Sequence, residues 1–340
     1  MTPPKYSLIV PTYNRVEELM ELLPSVNKMS LIDLLELIII DDGSTDATEK
    51  YIESFDSKYI IQYQKQHNQG PGAARNLGMS IARGTYFLFV DSDCILPQDY
   101  LVHIDTFLDE NDSDAFGGRD SFHPSFSPLL KAIDYSMTSF IGTGGTRGNV
   151  KSVTKFYPRS FNMGFHRKVY ETIGGYNSLR HGQDMDYSAR IYKAGFVVNL
   201  IPESVVYHKR RTSLRKFYKQ IFNWGVARIN LSSIHEGFLK PIHFAPAFVV
   251  AISMICIVLL GLRILPVPVL IMGVLMVAIL ALFAFIQSLF KYKSIQVALL
   301  SIITLFTQVF AYGLGVLSGL FQRFILGKKE SRGFIKNYYQ

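Results

Sequence analysis

The chain has 340 residues, of which 49% are hydrophobic, with 35 Lys and Arg against 27 Asp and Glu; this length suggests about two domains and excludes a small stapled scaffold. The net charge of +8 would suit a nucleic-acid binder, but residues 1–208 hold 19 basic and 25 acidic side chains whereas 209–240 hold 8 and 1. An acidic front followed by a short basic segment excludes nucleic acid as the expected partner.

Short apolar runs and helical patterns alternate through the front half. Strands are predicted at 6–10 (YSLIV), 35–41 (LELIIID), 59–63 (YIIQY) and 86–91 (YFLFVD), with helices at 16–28, 47–55 and 72–81 between them. Nearly continuous apolar strands joined by crossover helices predict an α/β domain with a parallel, Rossmann-like sheet covered on both faces. Ligands of such sheets bind beyond the carboxyl ends of the strands, here at the polar tips 11–14, 41–46 and 91–93. No G-x-G-x-x-G follows the first strand, which disfavours a dinucleotide fold of the oxidoreductase type. The opening MTPPKYSLIV reads as a first strand and not as a secretory leader. Residues 142–148, rich in glycine, read as a mobile loop. Cys94 falls in the third tip and Cys256 in an apolar run, so no disulfide is expected and a reducing compartment fits.

From 241 to 322 the only charged residues are Arg263, Lys291 and Lys293. The runs 244–262, 264–289 and 295–320 each reach the roughly 20 residues that a hydrocarbon core requires. The basic segment before them favours the cytosolic side and anionic headgroups, so the front domain is expected to be cytosolic. Three crossings would leave Lys328, Lys329, Arg332 and Lys336 on the far side, against the positive-inside tendency. Either the third run, interrupted by Gly313, Gly315 and Gly319, is re-entrant or interfacial, or another element prevails. The expected organisation is therefore a catalytic domain at 1–208, a basic juxtamembrane segment at 209–240, two or three membrane helices at 241–322 and a basic tail at 323–340.

The tips carry the candidate chemistry. Asp91-Ser92-Asp93 ends a buried strand, and alternate carboxylates there suit one divalent cation bound to a diphosphate; the plain alternative is an acidic turn. Asp41 and Asp42 end the second strand, where a carboxylate can accept hydrogen bonds from a base or ribose. Asp46 suits a helix cap. Arg75 opens a helix whose free N–H groups suit a phosphate or base edge, although alone it reads equally as a surface Arg.

The strings VPTYNR, IIIDDGSTD, NQGPGAARNLG and VDSD, in this order and spacing, resemble the inverting family 2 glycosyltransferases of the GT-A fold, over roughly residues 5–225. That resemblance implies a GT-A, Rossmann-like mixed sheet followed by a membrane anchor. It implies a donor site in which Pro11 and Tyr13 line the nucleobase pocket, Asp42 contacts the base, Arg75 supports it and Ser92 belongs to the donor turn. Asp93 with Asp91 would hold Mn²⁺ or Mg²⁺ on the diphosphate. His208 is either a further metal ligand or a structural side chain. The segment HGQDMDYSAR is similar to the acceptor side of the family, where an acidic pair is usual; here Gln183 precedes Asp184. Asp184 is then the general base, and Asn162, Gln183 and Trp224 are candidates for the acceptor side. Trp224 reads equally as an interface anchor. Gln220 and Trp224 are similar to the Q-x-x-R-W segment of processive synthases, but Asn223 stands where Arg is expected, which disfavours processive synthesis. The function implied is metal-dependent transfer of one sugar from a nucleotide sugar to a hydroxyl of a lipid-linked or membrane-proximal glycan. Two alternatives are a polyprenyl-phosphate sugar synthase, whose acceptor needs no base, and a catalytically silent nucleotide-binding membrane scaffold.

Overall fold

In this computed structural model, which describes residues 3–143, 156–209 and 212–334, strands β1 (Tyr6–Thr12) and β2 (Leu35–Asp41) are buried along their whole lengths. Strands apolar on both faces need cover on both sides, and the crossover helices supply it. Helix α1 (Val16–Val26) follows β1, α2 (Thr48–Ser54) follows β2, and α3 (Pro71–Ile81) follows β3 (Ile60–Lys65). With β4 (Tyr86–Phe89) these strands form the expected parallel half: β1 pairs with β2 and β4, and β2 with β3.

Beyond β4 the sheet departs from a purely parallel pattern. The chain continues through β5 (Cys94–Ile95), α4 (Tyr100–Glu110), β6 (Ala115–Ser121), α5 (Pro128–Thr138), α6 (Phe140–Thr143), β7 (Met163–His166), α7 (Arg167–Ile173), α8 (Gln183–Lys193) and β8 (Val198–His208). The strand order is β3-β2-β1-β4-β7-β6-β8-β5, with β7 antiparallel to β4 and β6, and β5 antiparallel to β8. The result is the mixed sheet of the GT-A fold. Successive side chains face opposite sides, so Leu8, Val10, Leu37 and Ile39 pack on one face while Ile9, Ile38, Ile40, Phe87 and Phe89 pack on the other.

Helix α3 is held at both ends by carboxylates of the β2 segment. At its far end, the fully buried Glu36 accepts hydrogen bonds from Ser7 Oγ (2.6 Å), Arg83 N (2.6 Å), Arg83 Nε (2.9 Å), Gly84 N (3.3 Å) and Gln62 Nε2 (2.7 Å). At its near end, Asp42 accepts from Gln69 N and Gly70 N, each at 2.8 Å. A buried carboxylate is tolerated only when its oxygens are satisfied in this way.

The chain divides into two compact units. The first holds the sheet and comprises residues 3–124 and 156–209; the second comprises 125–143 and 212–334. Helices α5 and α6 therefore group with the second unit, together with α9 (Leu214–Ser232), α10 (Ala245–Gly261), α11 (Val267–Tyr292) and α12 (Ile295–Leu320). Three helical stretches, Pro241–Gly261, Val267–Tyr292 and Ile295–Ile325, are long and apolar enough to cross a membrane. The glycines of the third run do not interrupt it. α12 is continuous, and those glycines are sites of close approach: a Cβ on Gly315 would lie 2.1 Å from the Phe222 carbonyl oxygen of α9, and one on Gly313 2.4 Å from that of Pro246 in α10. Most of the stretch 142–148 lies outside the described residues, as do Arg210, Arg211 and Lys336.

Candidate active site

The ends of β1, β2 and β4 form one surface because their loops are tied together. Asn14, left-handed at φ 51°, accepts hydrogen bonds from Thr45 N (2.8 Å) and Asp46 N (3.3 Å), and its own N–H donates to Ser44 Oγ (2.8 Å). Asp41 accepts from Ser44 N (2.7 Å) and from the Tyr63 hydroxyl (2.8 Å). Asp46 caps α2, accepting from Thr48 N at 3.1 Å. Pro11 is buried within β1 opposite Ile40, and Tyr13 is half-buried at the tip.

Asp42 has a different immediate role from the base contact expected of it. Besides Gln69 N and Gly70 N it accepts from Gln66 Nε2 at 2.7 Å, so both of its oxygens organise the loop that starts α3. That loop sets Arg75, which is 5% exposed and donates to Asp91 Oδ1 at 2.6 Å, with its guanidinium 5.6 Å from the ring centroid of Tyr176. Burial opposes the Arg75 charge, but Asp91, Tyr176 and Asp184 more than offset it and raise its pKa. Arg75 Nε is buried without a hydrogen-bond partner among the described residues, and an orphaned donor of this kind suits an anionic ligand.

Asp91 and Asp93, expected to act together, are directed to different partners. Asp91 pairs with Arg75, whereas Asp93 Oδ1 lies 3.1 Å from His208 Nε2. The cause is strand register. Cys94 stands opposite His208 in the antiparallel β5/β8 pair, and Lys209 N donates to the Asp93 carbonyl at 2.8 Å, which brings residues far apart in sequence side by side. The ring of Phe161 lies 4.8 Å from that of His208, centroid to centroid, and Asp120 Oδ2 lies 3.9 Å from His208 Nδ1. Ligand atoms of Asp93, Cys94 and His208 all fall within 4.8 Å of one another, the one such group among the described residues. Burial, reinforced by Asp93, pushes the Cys94 thiol pKa well up, which leaves carboxylate oxygen and imidazole nitrogen as the available donors. Such a set fits Mn²⁺ or Mg²⁺ better than a soft metal. Ser92 is buried in the turn between the two acids, closed by Cys94 N donating to the Asp91 carbonyl at 3.1 Å.

On the acceptor side, Asp184 lies in the first turn of α8, where one oxygen accepts from Met185 N at 2.9 Å and the other stands 3.5 Å from Arg159 Nη1. Gln183 packs against Gly72 in the first turn of α3, where an added Cβ would meet its side chain at 2.6 Å. Asp186, by contrast, is a buried structural acid, bonded to Asn177 (3.0 Å) and to Arg190 Nε (3.2 Å). Asn162, expected on the acceptor side, is buried and hydrogen-bonded at both amide atoms. Its Oδ1 accepts from Tyr100 (3.0 Å) and Ser204 (3.4 Å), and its Nδ2 donates to the carbonyls of Arg119 (3.1 Å) and Ser204 (2.9 Å), which uses its full hydrogen-bonding capacity. Trp224 belongs to the second unit, packed on α9 against an apolar cluster that includes Phe217, Ile221 and Ala311.

Residues 7–174 match the model of glycosyl transferase family 2, and residues 144–316 match that of glycosyl transferase family 21. The chain carries a glycosyl transferase family 2 domain over residues 7–174. The first match takes in Asp42, Arg75, Asp91 and Asp93, and the second Asp184, His208 and Trp224. Poly(ribitol-phosphate) β-N-acetylglucosaminyltransferase TarS of Staphylococcus aureus is 36% identical over 113 residues, 32% of this chain and 20% of that protein. The chain thus spans about a fifth of the length of that relative. Glycosyltransferase AglE of Haloferax volcanii is 26% identical over 263 residues, 72% of this chain and 84% of its own. Among solved structures, mannosyltransferase PcManGT of Pyrobaculum calidifontis, in complex with GDP-Man and Mn²⁺, shares the fold with a TM-score of 0.60 at 16% identity, over 89% of this chain and 87% of its own.

Two side chains near this site, Asp120 and Arg159, escaped the sequence reading, and Cys94 was placed there only as part of the third tip. Cys94 and Asp120 flank His208, and Arg159 faces Asp184. Only Cys94 carried a signal, its place directly after the acidic tip.

Proposed function

We propose that the protein moves one sugar from a nucleotide sugar to a hydroxyl of a lipid-linked or membrane-proximal glycan, inverting the anomeric centre. The observation that supports this most is the convergence at the strand tips of the Arg75–Asp91 pair, the Asp93–His208 pair and Asp184, whose charge acts on Arg75. In this reading Pro11, Tyr13 and the loop fixed by Asp42 receive the nucleoside, and Arg75 faces its phosphates. Asp93 and His208 would hold Mn²⁺ or Mg²⁺, which when bound offsets the negative charge of the departing diphosphate. Asp120, 3.9 Å from the other ring nitrogen, adds negative charge beside His208. Asp184 takes the proton of the acceptor hydroxyl as its oxygen attacks from the face opposite the nucleotide, with Arg159 orienting the carboxylate. The apolar helices of the second unit favour an acceptor at the membrane, with the sheet unit on the cytosolic side. The same strand-tip convergence argues against a silent scaffold.

The first test is binding of UDP, GDP, dTDP and CMP by the detergent-purified protein, with and without Mn²⁺, and by the Asp93→Ala variant. One nucleotide is expected to bind only with metal and to be lost in the variant; binding indifferent to both would overturn the reading. Asp184→Asn is expected to keep nucleotide binding and lose transfer. Near-normal transfer by that variant would point instead to a polyprenyl-phosphate acceptor, already ionised and in no need of a base.

A further inference from the structure

The second unit ties together two segments that lie on either side of the apolar helices in sequence. Asn223 of α9 donates from Nδ2 to the Phe334 carbonyl (3.0 Å) and accepts at Oδ1 from Phe334 N (2.7 Å). One register further along, Asn230 donates to the Ser331 carbonyl (2.9 Å) and accepts from Ser331 N (2.9 Å). Gln322 pairs with Arg332 in the same two-point way, and the Ser331 hydroxyl donates to the Gly319 carbonyl. Three amide side chains therefore each read one backbone unit of the segment 331–334, and the Lys219 ammonium lies 5.5 Å from the Phe334 ring centroid.

Direct hydrogen bonds cannot reach across a hydrocarbon layer about 30 Å thick. Residues 223–230 and 331–334 must therefore lie on one side of any membrane, and the chain between them must cross an even number of times. Three stretches are apolar and long enough to cross, so at least one of them does not.

The packing says which. Over an 18-residue apolar window, the stretch that begins with α12 is 44% buried within the protein, against 11% and 6% for those holding α10 and α11. α12 meets α11 near the end of α11, through Ser288–Ser301 (2.7 Å) and Ala284–Leu305, and meets α10 near the start of α10, where Gly313 contacts Pro246 and Val250. In a hairpin of α10 and α11, those two ends lie on the same side. From Ser301 to Val316 α12 covers about 22 Å at 1.5 Å per residue, and it spends that length as a crossbar between the two ends. Polar helices flank it: Thr304 bonds to Ser136 and to the Ala132 carbonyl of α5, while α9 carries Arg215, Lys216, Lys219 and Arg228. Its open edge, Ile295, Leu299 and Ile303, carries no charge, and Phe321 and Phe324 continue it before Lys328 and Lys329.

We propose that α12 lies along the membrane surface on the side of α9, its open edge on the acyl chains, and that only α10 and α11 cross. The basic residues Lys328, Lys329 and Arg332 then share the side of the basic α9 segment, which removes the charge conflict posed by three crossings. Lipid is the partner that fits, because an uncharged, open apolar edge beside basic residues matches an anionic headgroup layer over acyl chains.

The test is labelling of single introduced cysteines by a membrane-impermeant maleimide in sealed membranes, before and after permeabilisation. The background is low, since Cys94 is 1% exposed and Cys256 lies within α10. Glu236→Cys, Ile264→Cys, Lys328→Cys and Glu330→Cys all fall at exposed positions. Glu236→Cys, Lys328→Cys and Glu330→Cys are expected to label together from one side, and Ile264→Cys from the other. If the two tail positions label with Ile264→Cys, the third run crosses and the proposal fails. If all four label from one side, the hairpin does not cross and the proposal fails equally. The readout requires no donor or acceptor, so it stands apart from the transferase reading.

Discussion

Replacing Glu36 tests the claim that α3 is fixed from its far end. Its carboxylate holds three donors on Oε1 and two on Oε2. In Glu36→Gln the amide nitrogen is best placed at Oε2, where Gln62 can turn its own oxygen inward and the half-exposed Arg83 side chain can turn to water. The three bonds at Oε1 survive but lose their charge assistance, worth about 1 kcal/mol each, so the expected cost is about 3 kcal/mol. Glu36→Ala also leaves the Arg83 N–H without an acceptor, whereas Gly84 N–H keeps Ser7 Oγ at 2.8 Å, which brings the cost to about 4 kcal/mol. For a unit of this size each kcal/mol shifts Tm by about 2–4 °C, so thermal unfolding of the detergent-purified protein should fall by about 6–12 °C and 8–16 °C. Burial alone would raise the Glu36 pKa, but the bonds from Ser7 and Arg83 outweigh it and hold the group below its ordinary value. A carboxylate depressed in the folded state stabilises above its unfolded pKa of about 4.3 and loses that contribution as pH falls through the lower folded value. The native protein should therefore lose stability below about pH 4 more steeply than Glu36→Gln. A Tm change under about 2 °C for Glu36→Gln would refute the reasoning.

Other expectations concern the site and the helix packing. Asp120→Asn removes a negative charge 3.9 Å from His208 Nδ1 and should weaken Mn²⁺ binding, as measured by metal titration of nucleotide-bound protein. Arg75→Lys keeps the charge but not the planar fork, and should reduce nucleotide affinity by at least about tenfold in calorimetry. Gly315→Leu should lower the thermal stability of the second unit, because its Cβ alone would meet the Phe222 carbonyl at 2.1 Å; an unchanged melting profile would show that α9 and α12 are not in close contact.

The parallel half of the sheet was legible because β1, β2 and β4 are largely buried apolar runs next to crossover helices, and those are local patterns. Its three polar tips were legible for the same reason. The other half was not, since the pairing of Cys94 with His208 joins residues more than a hundred positions apart, and no periodicity records such a register. His208 stayed ambiguous and Asp120 was invisible on that account. The partners of Asn162 were invisible because a buried amide and a sugar-binding amide look alike in sequence. The glycines of α12 read as interruptions, whereas α9 and α10 need them as room for close approach.

The two carboxylates of the β2 segment also make α3 a part of fixed length. Glu36 and Asp42 stand six residues apart, about 20 Å of extended chain, and the helix with its two flanking turns must span the interval between them. Removing one residue from α3 would shorten it by about 1.5 Å and turn its end by about 100°, carrying Arg75 away from Asp91 or pulling one anchor loose. Insertions and deletions should therefore be absent between Glu36 and Gly84 wherever a relative keeps both acids, except in the α2 region and the chain leading to β3, which lie outside the clamp.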